Sequence, residues 1–393
     1  MLATLLASWL ALGCDSAGHS SASAGGAAGS GGDSSMAASA GTTAGGGGAA
    51  ADSLAQKYRD YFPIGAAVDN FEVSFEDQVL AQDFNHLTCE NAMKMEDIHP
   101  AEDVYGWLNS DRIADFARQH GMKLTGHTLL WHRQAPDWMF EGVTAGDAES
   151  LELLKSRLKA HIETVIDRYA DVVDNWDVVN EVISDDPSKT YRDGTEGSKW
   201  YELFGSQEYV YWAYQFAHDA LEAKEPGSSA GKLYYNEYNV TLKADHILEM
   251  LAWLKDEKGI TVDGVGFQSH ENINWPSVGD IQTALDKFKA AGYKAKISEL
   301  DISMYDDYAT GSFVPSPQID FTPDVEQEQA RRFADLFALY RKNKDQITSV
   351  TFWGISDDQT WLDGDPVEDR DDFPLLYNDA HQPKAARAAI MDF

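Results

Sequence analysis

The chain predicts an α/β protein of the closed (β/α)₈ TIM barrel class, and three observations carry that prediction. Eight short apolar, β-branched runs alternate with segments whose apolar residues recur at helical spacing. Seven of these runs end in polar, imidazole, indole or carboxylate side chains. No glycine-rich phosphate loop follows an early run, as a doubly wound sheet would normally require.

Taken in order, residues 1–14 form an apolar segment closing with Ala11-Leu12-Gly13-Cys14. It resembles a bacterial lipoprotein signal with Cys14 as the acylated mature N-terminus, although no Lys or Arg precedes the apolar run. That run is too short for a transmembrane helix. Residues 15–52 are a linker, almost wholly Gly, Ala, Ser and Thr between Ala17 and Ala50, and cannot bury a core. The folded part is expected over 53–393 as one domain, larger than the ~250 residues typical of a barrel but within its range. A secreted or cell-surface lipoprotein, monomeric and without an integral membrane span, is the expectation for the whole chain.

The strand-like runs centre on Pro63–Val68, Phe84–Glu90, Lys123–His127, Val172–Glu181, Lys232–Asn236, Val265–His270, Ala295–Glu299 and Ser349–Trp353. Between them lie helical stripes. Ser110 is read as an N-cap ahead of Ile113, Phe116 and Ala117, with Gly121 closing that helix. Leu151, Leu154 and Leu158 repeat the spacing, as do Ala213, Phe216, Ala217 and Ala220. Further stripes are Ile247, Met250, Leu251 and Leu254, then Ala330, Phe333, Phe337 and Tyr340. Such stripes are core faces rather than cofactor boxes.

Composition narrows the function. Eleven Trp, 17 Tyr and 17 Phe exceed what a core needs, and aromatic faces suit sugar rings. A net charge of −34 argues against nucleic acid and against an anionic membrane surface. Two cysteines, Cys14 and Cys89, make neither a disulfide framework nor a metal site.

The strand ends hold the chemistry. The second run ends in Glu90 and Asn91, with Lys94 following; the third ends in His127, with Trp131, His132 and Gln134 beyond. The fourth ends in Asn180-Glu181, the fifth in Asn236 and Tyr238, the sixth in Gln268 and His270. Glu299 ends the seventh and Trp353 the eighth, with Trp361 on the loop that follows. In a barrel, polar groups at the C-terminal strand ends read as a site. Two glutamates far apart in sequence are what acid/base cleavage of a glycosidic bond requires. His270, ending the run before Glu299, is a plausible donor to it. A metal-dependent hydrolase built on His127, His132 and His270 is the alternative, but no His-x-His pair ends the first run. No metal and no cofactor is expected.

The chain resembles the glycoside hydrolase family 10 endo-β-1,4-xylanases across essentially all of the folded part. The resembling stretches are Thr88 through Lys94, Gly126 through His132, Trp176 through Glu181, Gly264 through His270, Ser298 through Asp301, and Phe352 through Asp357. The resemblance implies Glu181 as general acid/base and Glu299 as nucleophile, with net retention and carboxyls about 5–5.5 Å apart. It implies sugar binding by Glu90, Asn91, Lys94, His127, Trp131, Asn180, Trp353 and Trp361. Gln134, Gln268 and His270 fall around the two carboxylates, and Tyr238 on the leaving-group side. Lys94 and Trp361 would reject a hexose hydroxymethyl group, favouring xylose over glucose. Cys89 is expected as a buried free thiol. The acidic stretch from Asp363 to Asp372 is read as solvated.

The substrate implied is xylan and its oligosaccharides. One rival is a non-catalytic surface protein binding xylan through the same cleft, which would lose a carboxylate. The other is an enzyme of the same mechanism preferring β-1,4-glucan or aryl cellobiosides.

Overall fold

The computed structural model describes residues 53–74, 78–308 and 313–393. The signal, the linker and Cys14 lie outside them. The first run forms strand β1, Ile64–Val68, buried at every position. It pairs in parallel with β2, His86–Cys89, on one side and with β9, Ile347–Phe352, on the other. From β2 the parallel order continues through β3 (Lys123–Trp131), β4 (Val173–Asn180), β5 (Leu233–Glu237) and β6 (Gly264–Phe267). β6 then pairs with β8, Lys294–Ser303, and β8 with β9. Eight parallel strands therefore close on themselves. A short ninth, β7 (His270–Asn272), lies along the far end of β8.

The outer helices take the places their stripes predict. Asp147, Ser277 and Thr322 cap Ala148–Tyr169, Val278–Ala290 and Pro323–Lys342, each accepting from the backbone N–H three residues on. Gly121 closes Leu108–His120 with φ 68°, a left-handed turn that favours glycine. Ser110 is not the N-cap of that helix. The helix begins at Leu108, and the buried Ser110 hydroxyl instead accepts from Tyr169 Oη at 2.8 Å, bonding two helices together.

Two strand ends depart from their sequence readings in ways that build the site. β3 runs on past His127 to pair Trp131 with Asn180. β8 runs on past Glu299 to Ser303, because β7 supplies a partner for the extra length and sets His270 opposite Asp301.

Packing fixes the register of β3 against β4. Trp176 is fully buried, and a Cβ at Gly126 would stand 2.0 Å from its ring. Only glycine admits the indole. Truncating such a tryptophan costs about 3–5 kcal/mol. Inside the barrel a polar layer replaces the usual branched side chains. Lys296 Nζ lies 2.8 Å from Asp177 Oδ1 and donates to Asn175 Oδ1 at 2.7 Å. Asp177 Oδ2 in turn meets His127 Nδ1 at 3.1 Å. Burial opposes the Asp177 charge, but Lys296 and His127 outweigh it and hold the carboxyl below its usual range.

Candidate active site

The C-terminal strand ends open into a cleft of about 550 Å³, and every site residue predicted from sequence lines it. Three residues of its lining, Gln134 (φ 46°), Glu181 (φ 56°) and Asn239 (φ 51°), adopt left-handed backbone without being glycine. Ser269, between Gln268 and His270, does the same at φ 61°. Such residues cost of order 1–3 kcal/mol each and gather where geometry serves function.

Glu181 follows the last residue of β4. Its Oε2 accepts from the indole of Trp131 at 2.9 Å and its Oε1 from the amide of Gln268 at 3.0 Å. Both donors are neutral. Glu299, within β8, has a different environment. Asn236 donates to its Oε1 at 2.5 Å, and His270 Nε2 lies 3.2 Å from its Oε2. The other His270 nitrogen is 2.8 Å from Asp301 Oδ2, which also accepts from Trp361 Nε1 at 2.8 Å. Burial alone would lower the His270 pKa, but the charge and hydrogen bond of Asp301, joined by Glu299, push it up to about 10. His270 is thus an imidazolium that donates to both carboxylates.

Asn180 ties the two sites together, its Oδ1 accepting from Asn236 at 3.0 Å and from Gln268 at 3.3 Å. Beyond β2, Lys94 Nζ donates to Asn91 at 2.9 Å and sits 5.0 Å from the Trp131 ring centroid. Gln134 reaches the same Asn91 oxygen at 3.4 Å. Burial raises the Glu90 carboxyl above its usual range, partly offset by Lys94. Trp353 packs edge-on to His127 and His270, at 5.5 and 6.2 Å. Tyr238, beyond β5, receives a hydrogen bond from Arg192 at 2.8 Å and donates to Asp185. The three candidate metal-binding histidines do not converge, and among the described residues no His, Cys, Asp and Glu group of three is gathered to hold an ion.

This arrangement of two carboxylates, one held by a cation and one by neutral donors, amid amides and indoles, suits cleavage of a glycosidic bond. The sequence family described as Glycosyl hydrolase family 10 matches residues 53–393. The chain belongs to glycosyl hydrolase family 10. It is 39% identical over 336 residues to endo-1,4-beta-xylanase B of Paenibacillus barcinonensis, covering 84% of this chain and 95% of that one. It is 40% identical over 348 residues to endo-1,4-beta-xylanase A of Caldicellulosiruptor saccharolyticus, covering 87% and 96%. Among solved structures, xylanase XynB from Paenibacillus barcinonensis, complexed with a conduramine derivative, matches with a TM-score of 0.77 at 36% identity. That match covers 88% of this chain and 99% of the other.

Several residues of this family 10 glycoside hydrolase escaped the sequence reading. From the sequence Asn236 is a strand end without a role, and Asp301 only part of a motif. Asp301 stands two residues after Glu299 on one strand, so both face the same side, a signal that was available. Arg192, Asn239, Tyr308 and Phe313 also line the cleft, from loops whose positions no periodicity reveals. Cys89 is a buried free thiol, as expected. The acidic stretch is solvated only in part. Asp363, Glu368, Asp369 and Asp371 are exposed, but Asp365 lines the cleft. Asp372 is buried, accepting from Ser303 at 2.5 Å and from the Met304 N–H at 3.1 Å, because the loop folds back onto the end of β8.

Proposed function

We propose that this protein is an endo-1,4-β-xylanase that cleaves internal bonds of xylan with net retention. Glu299 attacks the anomeric carbon while Glu181 protonates the leaving oxygen, and Glu181 then activates the water that releases the glycosyl-enzyme. The observation that carries the division of roles is the contrast in partners. Glu299 is held by the His270 imidazolium and the Asn236 amide, the setting that suits a nucleophile. The Glu181 carboxyl rests on an indole and an amide, neutral donors without the cation that faces Glu299, the setting that suits the acid/base role. The named activity of these two relatives supports xylan over glucan, and the family resemblance, which sets Lys94 and Trp361 against a hexose hydroxymethyl group, supports the same choice.

The test follows the anomer released from xylopentaose by NMR, for the native protein and for Glu299→Ala. The β-anomer first, with an inactive variant, is the expected result. The α-anomer first would reverse the mechanism. Faster turnover of carboxymethyl cellulose than of xylan would move the substrate to β-1,4-glucan.

A further inference from the structure

The acid/base candidate hangs on a turn that its own carboxyl does not hold. At φ 56° the Glu181 backbone lies in the left-handed region, which a residue with a Cβ keeps only where its surroundings dictate it. Its N–H stays in the barrel ladder, donating to the Asn236 carbonyl at 3.0 Å. Three of the backbone groups that follow are met by side chains instead. The Glu181 carbonyl accepts from Arg192 Nε at 3.3 Å, and the Val182 N–H donates to Tyr235 Oη at 2.9 Å. The Ile183 N–H is shared between Tyr235 Oη at 3.3 Å and Glu237 Oε2 at 3.2 Å. Tyr235 Oη donates in turn to Glu237 Oε2.

We propose that Tyr235, Glu237 and Arg192 are positioning residues for Glu181, fixing the turn so that its carboxyl stays between the Trp131 indole and the Gln268 amide. The proposal rests on the acid/base role given to Glu181 above. Three observations support it. First, Tyr235 and Glu237 stand two apart on β5 and share a face, while Asn236 between them serves Glu299. One strand thus supports both carboxylates, one from each face. Second, Tyr235 and Glu237 are fully buried and neither lines the cleft, so they act on substrate only through the turn. Third, the cage is fully used. Glu237 also accepts from Lys243 Nζ at 3.0 Å and from the Tyr238 N–H at 3.2 Å, which fills the acceptor sites of a carboxylate. Lys243 and Arg192 both reach Asp185, at 2.8 and 3.0 Å. A turn released from these bonds would relax toward ordinary backbone, re-aim its Cβ and swing the carboxyl off both donors.

The test compares two substrates that differ in leaving group. Xylopentaose releases a sugar oxygen that must be protonated, whereas 2,4-dinitrophenyl β-xylobioside releases a phenolate that departs without a proton. Tyr235→Phe, which removes only the hydroxyl, should lower kcat/KM on xylopentaose about 10- to 100-fold and leave it within about twofold on the aryl glycoside. Glu237→Gln, which sets a donor where the cage needs an acceptor, should do the same. In a Glu181→Ala background, Tyr235→Phe should slow xylopentaose no further. Where Glu181→Ala itself spares the aryl glycoside, equal losses on both substrates, no loss on either, or a full further loss in the double variant overturns the proposal. If Glu181→Ala slows both substrates alike, the acid/base reading fails and the double variant decides. No further loss there supports positioning of Glu181, and a full further loss overturns it. A parent inert on both substrates fails the xylan reading, and the same comparison with cellopentaose and dinitrophenyl β-cellobioside then decides; inertness there too overturns the proposal.

Discussion

His270 stands 2.8 Å from Asp301 and 3.2 Å from Glu299, and these two carboxylates keep a proton on it that burial would otherwise remove. The sign of its contribution to stability follows. The folded pKa of about 10 lies above the unfolded value of ~6.5, so the stabilisation is fully present below ~6.5 and lost as pH rises through 10. Nitrogen NMR of the imidazole should show both nitrogens protonated at pH 8; a neutral ring there would remove the cation from Glu299. Replacing His270 by Asn should lower kcat on xylan by about 10²-fold, the usual cost of one preorganised donor at a reacting charge. An unchanged kcat would mean that Asn236 alone suffices to hold Glu299.

At the scale of the strand, β6 contributes through a residue with no side chain. A Cβ at Gly266 would meet Asn236 Oδ1 at 2.2 Å and Ser298 Oγ at 3.2 Å. Asn236 is clamped there, its Oδ1 accepting from Ser298 at 2.6 Å while its Nδ2 serves Glu299 and Asn180. Gly266→Ala should therefore displace the amide that holds Glu299. The expected outcome is a soluble protein whose kcat falls by at least tenfold, with a Tm drop of a few degrees, about 1–3 kcal/mol of overpacking. A large loss of Tm with kcat intact would place the role of Gly266 in packing alone. Within the barrel, Lys296 and Asp177 form an ion pair with both side chains almost fully buried. Lys296→Met would leave the aspartate charge buried without its ammonium, a cost of about 3–5 kcal/mol that thermal unfolding would report. Loss of less than half that would mean His127 takes over as the cation.

For the whole molecule, several buried groups act in one direction as pH rises. Burial pushes Glu72 up to about 8, and Glu271 and Asp357 up to about 7, against the partial relief that Arg332 and Lys384 give the last two. Each binds its proton more tightly folded than unfolded, so its contribution is present below the unfolded value and lost as pH rises through the folded one. His270 adds to this above ~6.5. A net charge of −34 compounds it through self-repulsion. The Tm should fall between about pH 6.5 and 8 and recover partly with added salt, which screens the repulsion. A Tm constant over that window, or rising, would show that these groups are relieved in solution.

Much of this protein is legible in its residues. β-Branched runs between helical stripes point to a parallel sheet covered on both faces, because a strand buried on both faces cannot alternate in polarity, and Ile64–Val68 does not. The missing glycine-rich loop then favours the barrel over a doubly wound sheet. Glu181 and Glu299 stand out because they end two of seven runs whose polar ends fall on one rim, where a single strand-end acid would read as solvated. The tertiary structure decided the rest. Which donors reach each glutamate depends on β3 and β8 running past their apolar stretches, and that depends on partners supplied by β4 and β7. Local composition cannot encode a partner. The His270–Asp301 contact, the backbone turn at Glu181 and the bonds that Tyr235 and Glu237 make to it are likewise agreements between distant segments. They exist only once the barrel closes, since closure brings eight strand ends, scattered over the chain, to a single rim.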